Sequence, residues 1–219
     1  MTVMQVFPGV YRVRGKLATL SFAPGKRVYG EQLAREEGKE YRVWDLFRSK
    51  LAGAFAKGLK ELPIHPGDRV LYLGASSGTT PSHVSDIVGE NGLVFCVEFA
   101  PRSMRDLINV CNVRPNMLPI LADARHPEQY ADVDVVEVIY QDVAQPDQAE
   151  ILIKNADAFL PSGGHALFCV KSQSIDVTVP PEKTFEMTLT KLEPHFHILQ
   201  TLKLEPYDKD HLFIHCQKK

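Results

Sequence analysis

From Arg69 onward, compact apolar runs alternate with stretches whose apolar residues recur at helical spacing, and few folds accept that pattern. Arg69–Leu73, Leu93–Val97, Met117–Leu121, Val133–Tyr140 and Ala166–Val170 read as strands. Between them lie helical faces. One spans Ser82 to Val88. A second carries Met104, Leu107, Ile108 and Cys111 and is opened by Pro101. A third carries Ala149, Leu152, Ile153, Ala156 and Phe159 and stops at Pro161-Ser162-Gly163-Gly164. A last helix holds Phe185, Leu189 and Leu192. Strands joined by crossover helices build a parallel sheet covered on both faces, an α/β architecture. His195–Leu204 and His211–Cys216 are separated only by a polar turn around Tyr207-Asp208-Lys209, which predicts an antiparallel hairpin at one edge of a seven-stranded sheet.

Ahead of the sheet, Trp44, Phe47, Leu51, Ala54 and Phe55 recur at helical spacing. They predict an amphipathic helix from Trp44, ended by Pro63 and Pro66-Gly67. Gly53 interrupts it, at a cost of roughly 1 kcal/mol against alanine. Residues 1–43 read differently. Val6-Phe7, Val10–Val13 and Leu17–Leu20 are strand-like pieces punctuated by Pro8-Gly9, Gly15 and Pro24-Gly25. They predict a small antiparallel β-rich domain, too short for its own core and therefore resting on the larger domain of residues 44–219.

Composition narrows the function. With 44% apolar and 24% charged residues the chain is not a disordered one. Lys and Arg number 25 against 27 Asp and Glu, a net charge of −2. No global positive field draws it to nucleic acid or anionic lipid, so RNA binding must be local or lent by a partner. No apolar run approaches the roughly 18 residues that span a membrane, and the start from Met1 lacks the pattern of a signal peptide. Cys96, Cys111, Cys169 and Cys216 lie far apart without a C-x-x-C. They are expected to be reduced, in a cytoplasmic protein, with neither a disulfide framework nor a metal site.

In an open α/β sheet, ligands bind beyond the carboxyl ends of the strands. There the sequence places Gly74-Ala75-Ser76-Ser77-Gly78-Thr79-Thr80, Glu98-Phe99, Asp123-Ala124, Gln141-Asp142-Val143-Ala144-Gln145 and Lys171. The first loop lacks the middle glycine of G-x-G-x-x-G and the Gly-Lys of a phosphate loop, which argues against a pyrophosphate. Its turn into a helix N-terminus still suits a carboxylate. Glu98, about 20 residues past the loop, can accept both hydroxyls of a ribose. Asp123 can accept from an adenine amino group and the Ala124 backbone can serve the ring nitrogens. Singly, each acid reads equally as a helix cap or a surface charge. Together they describe an adenosine with a carboxylate-bearing tail and no phosphates, which S-adenosylmethionine fits and NAD or ATP fit poorly.

Asp142 and Lys171 follow neighbouring strands and so lie side by side. Lys50, in Phe47-Arg48-Ser49-Lys50, and His211, at the start of the last strand, complete the candidate reaction centre. Each has a plainer reading: a strand-joining ion pair for Asp142 and Lys171, a solvated lysine for Lys50, an edge-strand residue for His211.

At these residues the chain resembles the fibrillarin family of guide-RNA-directed ribose 2′-O-methyltransferases, in its archaeal form. The matching strings are Tyr41-Arg42-Val43-Trp44 with Phe47–Ala52, Val70–Ala75 with Ser77–Thr80, Val97–Arg102, Asp123-Ala124-Arg125 and Tyr140-Gln141-Asp142-Val143-Ala144-Gln145-Pro146-Asp147-Gln148. The resemblance covers almost the whole chain, and the last string is highly specific. It implies a Rossmann-like methyltransferase fold with a small N-terminal domain. It also implies S-adenosylmethionine bound by Gly74, Ala75, Thr79, Thr80, Glu98, Phe99, Asp123, Ala124 and the run Asp142, Val143, Ala144, Gln145. The Lys-Asp-Lys set of 2′-O-methyltransferases falls on Lys50, Asp142 and Lys171, with His211 as the candidate fourth member. The run after Lys171 departs from the family, where Lys-Ala-Arg or similar often follows. The chain starts directly at the folded region, without the Gly/Arg-rich tail of eukaryotic members. The implied setting is a box C/D ribonucleoprotein, in which a Nop-domain scaffold protein and a kink-turn-binding ribosomal-type protein hold the guide RNA and base pairing selects the target RNA. Arg42, Arg48, Lys50, Arg102 and Arg105 are the expected RNA-facing patch. A same-fold methyltransferase acting on a protein or small molecule, and an inactive adaptor, are the competing readings.

Overall fold

The computed structural model describes residues 3–219; Met1 and Thr2 lie outside the described residues. The N-terminal strands β1 (Val3–Phe7), β2 (Val10–Val13), β3 (Lys16–Leu20), β4 (Leu33–Glu36) and β5 (Lys39–Val43) form one antiparallel sheet in the order β1-β2-β3-β5-β4. The remainder is α1 (Lys50–Ala56), β6 (Arg69–Leu73), α2 (Thr79–Val88), β7 (Leu93–Glu98), α3 (Pro101–Cys111), β8 (Met117–Leu121), β9 (Val138–Gln141), α4 (Gln148–Phe159), β10 (His165–Lys171), α5 (Ser172–Ile175), α6 (Pro181–Leu192), β11 (Phe196–Lys203) and β12 (His211–Lys218). Its seven strands run in the order β11-β12-β10-β9-β6-β7-β8, with β12 antiparallel to both neighbours and the other pairs parallel. That is the expected sheet and edge hairpin. The β10–β12 register sets Lys171 opposite His211.

Three of the expected elements sit differently, and β4 and β5 are strands that the sequence pattern does not announce. The first helix begins at Lys50, not Trp44. Asp45 accepts the Phe47 N–H at 2.8 Å, Trp44 pairs by its own N–H with the Leu17 carbonyl at 2.8 Å, and the Ser49 hydroxyl caps α1. Local side-chain bonds of this kind compete with a helix and delay its start. Phe47, expected on the helix face, stands 68% exposed in the preceding loop. The fourth strand begins at Val138. Val133 and Val136 are buried in a loop, so their apolarity reported burial without strand. The buried face of α3 is Met104 and Leu107, while Ile108 is exposed. The glycine in α1 has a packing reason: a Cβ on Gly53 would lie 3.3 Å from the Cβ of Tyr207 in the hairpin turn.

The two sheets share a core. Val10 and Leu17 of the small sheet join the cluster of Val84, Ile87, Val70 and Tyr72. Gly9 (φ +73°) turns β1 into β2 against α2, and a Cβ there would stand 2.9 Å from the Ile87 Cα. Beside it lies a buried polar network. Arg42 donates to Glu31 at 2.7 Å, Asp86 at 2.8 Å and Ser82 at 2.9 Å; Arg114 donates to the other Asp86 oxygen at 2.7 Å. The Thr19 hydroxyl gives its hydrogen to Asp86 at 2.6 Å, so His83 Nδ1 donates to Thr19 and Nε2 accepts from Tyr29 at 2.7 Å. Burial, then the Arg42 and Arg114 charges, hold His83 well below the ordinary histidine range, hence neutral. Arg42 is 0% exposed, which removes it from the expected RNA patch; Arg48, Arg102 and Arg105 are exposed. The four cysteines are free, three of them buried.

Candidate active site

The ends of β6, β7, β9 and β10 converge on one crevice. After β6 the chain turns at Gly74, whose N–H and that of Ala75 both donate to the Val97 carbonyl at 2.9 and 3.0 Å. Gly74 has φ +84°, and a Cβ there would sit 2.7 Å from the Asp142 carbonyl oxygen. Glycine thus lets the end of β9 close on the loop. Gly78, at φ +91°, then turns the chain into α2.

Glu98 ends β7 with only 7% of its surface exposed. One carboxylate oxygen accepts the Ser76 N–H and the other the Ala100 N–H, each at 2.8 Å. Two backbone donors fix the carboxylate plane and leave a further lone pair on each oxygen. Glu98 lines a cavity of about 600 Å³, measured to its open mouth, within the range of small-molecule sites. Gly74, Ser76, Phe99, Ala124, the run Asp142–Gln145 and Lys171 line it too. Phe99 stands 61% exposed, an aromatic face free to stack.

Not every expected donor-binding residue reaches this cavity. Ala75, Thr79, Thr80 and Asp123 are absent from its wall. The Thr80 hydroxyl donates to Ser49 at 2.9 Å, joining α2 to the cap of α1. Asp123 turns its carboxylate to Arg125 Nε at 3.0 and 3.1 Å and accepts from Gln145 at 3.4 Å. The Arg125 hydrogen bonds hold its carboxyl below the usual range.

A second, more polar cavity of about 370 Å³ lies across Asp142, lined by Phe47, Arg48, Lys50, Thr80, Tyr207 and Asp208. Asp142 stands in both walls. The structure brings Lys50 and Lys171 onto Asp142, while His211 stands opposite Lys171 in the β10–β12 register and meets Asp208 at 3.0 Å. Lys171 Nζ donates to the Asp142 carbonyl at 2.9 Å and lies 2.9 Å from Asp142 Oδ1, an ion pair off the hydrogen-bonding direction that leaves Oδ1 without a hydrogen-bond partner. Lys50 Nζ donates to the other oxygen at 3.2 Å and lies 3.4 Å from Asp208. Burial pulls the Lys50 ammonium down, but Asp142 and Asp208 outweigh it and hold it above the ordinary lysine range. Cys169 nearby is kept a neutral thiol by its own burial. Lys50 is therefore a fixed cation.

Sequence reasoning passed over Gln148. It is fully buried, accepts the Lys171 N–H at 3.0 Å and donates to the Lys171 carbonyl at 3.1 Å, while Gln141 donates to the Gln148 carbonyl at 2.7 Å. Gln148 thus locks the start of α4 to the end of β10, and Gln141 ties the same start to the end of β9. The string itself was the available signal. Asp208 and the pair of exposed Phe47 with half-buried Tyr207, ring centroids 5.3 Å apart, were also missed. They meet Lys50 only through the fold.

The family model "Fibrillarin" matches residues 1–219. A fibrillarin-like rRNA/tRNA 2′-O-methyltransferase of Methanopyrus kandleri is 53% identical over 95% of this chain and 93% of its own length. Aeropyrum pernix fibrillarin, solved with natively bound S-adenosyl-L-methionine, superposes with a TM-score of 0.89 at 47% identity, covering 98% of each chain. A fibrillarin solved in a fibrillarin/Nop5p complex gives 0.91 at 39% identity, over 99% of this chain and 100% of its own. With the sheet order, the crevice and these likenesses in agreement, the chain belongs to the fibrillarin family.

Proposed function

We propose that this chain is an S-adenosylmethionine-dependent ribose 2′-O-methyltransferase of rRNA and tRNA, directed by a box C/D guide RNA. The observation that carries the reading is the meeting of two cavities at Asp142, whose carboxylate oxygens face Lys171 on one side and Lys50 on the other. Bound S-adenosylmethionine supplies a methyl group on sulfonium that is already electrophilic. The chain's tasks are then to hold that donor, orient the ribose hydroxyl and accept its proton. Glu98 fits the donor's ribose diol, with both its oxygens oriented by backbone amides. Phe99 and the Ala124 backbone fit the adenine, and the Gly74–Ser76 loop the amino-acid tail. Lys171 beside Asp142, with His211 opposite it across the β10–β12 pair, would orient the hydroxyl and take its proton, while Lys50 offsets the carboxylate's charge. Replacing Glu98 with alanine is expected to weaken S-adenosylmethionine at least about tenfold, since hydrogen bonds to a charged group contribute roughly 1.5–3 kcal/mol each. Calorimetry on the folded variant checks this, and unchanged donor affinity would take Glu98 out of the site.

We assign the working form to a cytoplasmic particle with a Nop-domain scaffold, a kink-turn-binding ribosomal-type protein, guide RNA and target. The net charge of −2 supports this, because RNA affinity grows with the phosphates neutralised. Arg48, Arg102 and Arg105 are exposed cations for a local contact. The decisive experiment is reconstituted methylation. The chain alone is expected to methylate RNA poorly, and scaffold plus guide RNA to restore site-selective transfer. Robust selective methylation of naked RNA by the chain alone would contradict the assignment, and transfer to a protein or small molecule instead would replace it.

A further inference from the structure

The alternation of charge around Asp142 does not stop at Lys50. Asp208, in the turn between β11 and β12, brings Oδ2 to 3.4 Å from Lys50 Nζ and Oδ1 to 3.0 Å from His211 Nδ1. Lys171, Asp142, Lys50 and Asp208 thus form one chain of alternating charges, and Asp208 extends it to His211, which sits opposite Lys171 in the β10–β12 register. Directly opposed residues of an antiparallel pair emerge on the same face, with Cβ atoms about 5 Å apart. We infer that Asp208 is a positioning residue for the transfer, holding the Lys50 ammonium and the His211 imidazole in fixed places beside Asp142 and Lys171.

The fold sets Asp208 firmly in place. Tyr207 lies against α1 at Gly53, where only hydrogen fits comfortably. On the other side the Ser172 hydroxyl donates to the Asp210 carbonyl at 3.0 Å, and the Asp210 N–H donates to Glu205 at 3.1 Å. Within the turn the Tyr207 N–H donates to the Leu204 carbonyl at 2.9 Å. Both acceptors at His211 Nδ1, Asp208 Oδ1 and the Lys209 carbonyl at 2.6 Å, call for a hydrogen there. In the neutral ring that assigns the lone pair to Nε2, which makes no hydrogen bond among the described residues. A carboxylate behind Nδ1 that fixes the tautomer is how an imidazole is commonly prepared to handle a proton at Nε2. Burial raises the Asp208 carboxyl, but the His211 bond and Lys50 outweigh it and bring it below the usual range, so it stays charged.

The inference rests on the proposed reaction centre, and its test separates the two. Asp208→Asn keeps the shape and removes the charge. Assembled with guide RNA and scaffold, this variant is expected to lose roughly 10–100-fold in single-turnover rate, the range for outer partners that orient a reacting group. Its affinity for S-adenosylmethionine and its KM for target RNA should stay within about twofold, a split that a structural role would not give. A wild-type rate, a loss carried wholly by KM or donor affinity, or an unfolded Asn variant would each overturn it. Lys171→Ala is measured in parallel. If that variant keeps the wild-type rate, the reaction centre is wrong; if it fails while Asp208→Asn does not, only the role of Asp208 falls.

Discussion

Lys171→Ala is expected to cut single-turnover methyl transfer roughly 10²–10⁴-fold in the assembled particle, the usual span for a group that handles a proton. A ribose hydroxyl is a weak nucleophile at neutral pH and must be aimed at the methyl carbon as its proton departs. Lys171 stands where both can be done, with its ammonium on Asp142 and its backbone clamped by Gln148. Donor affinity should fall by less than in Glu98→Ala, because Lys171 lines the same cavity but the contacts proposed for the donor's ribose and adenine lie with Glu98, Phe99 and Ala124. Asp142→Ala should lose as much rate and, because Asp142 also lines the donor cavity, some donor affinity. Near-wild-type single-turnover rates in a folded, assembled Lys171→Ala particle would end this assignment.

The second large effect is on stability. Asp86→Ala is expected to destabilise the chain by roughly 3–5 kcal/mol, the usual result of removing one partner from a buried ion pair. Asp86 accepts from Arg42, Arg114, Thr19 and the Phe22 N–H, all in the joint between the small sheet and α2. Without it Arg114 would remain buried with no carboxylate partner, and Arg42 with Glu31 alone. Arg114 has little to spare, since its Nε and one terminal nitrogen already lack partners and burial has lowered its pKa. Denaturant unfolding, with midpoint and slope compared, gives the number. A loss under about 1 kcal/mol would mean that water enters the joint and solvates both arginines.

Much of this architecture was legible because apolar runs and crossover spacing are local properties. The parallel strands, the edge hairpin and the strand-end acids all follow from them. Other features depended on contacts between distant residues. Arg42 reads as a surface cation until Glu31 and Asp86 are seen around it. Trp44 sits at helical spacing, yet its side chain stacks on His83 at 4.4 Å and its backbone follows β5 toward β3. Asp208 looks like a turn residue in sequence and meets Lys50 only because the hairpin folds back over α1. Gly53, a flaw by helix propensity, marks the place where that turn rests.

Asp142 stands as a shared wall of the two cavities. For ligand design this makes the partition a bridge. A molecule joining an adenosine-like half to a ribose-like half needs a linker only as long as the atoms that would pass between them. A short rigid link presents the second half at high effective concentration once the first is bound. Such a bisubstrate compound would also occupy the one carboxylate that neither pocket can replace without altering the other.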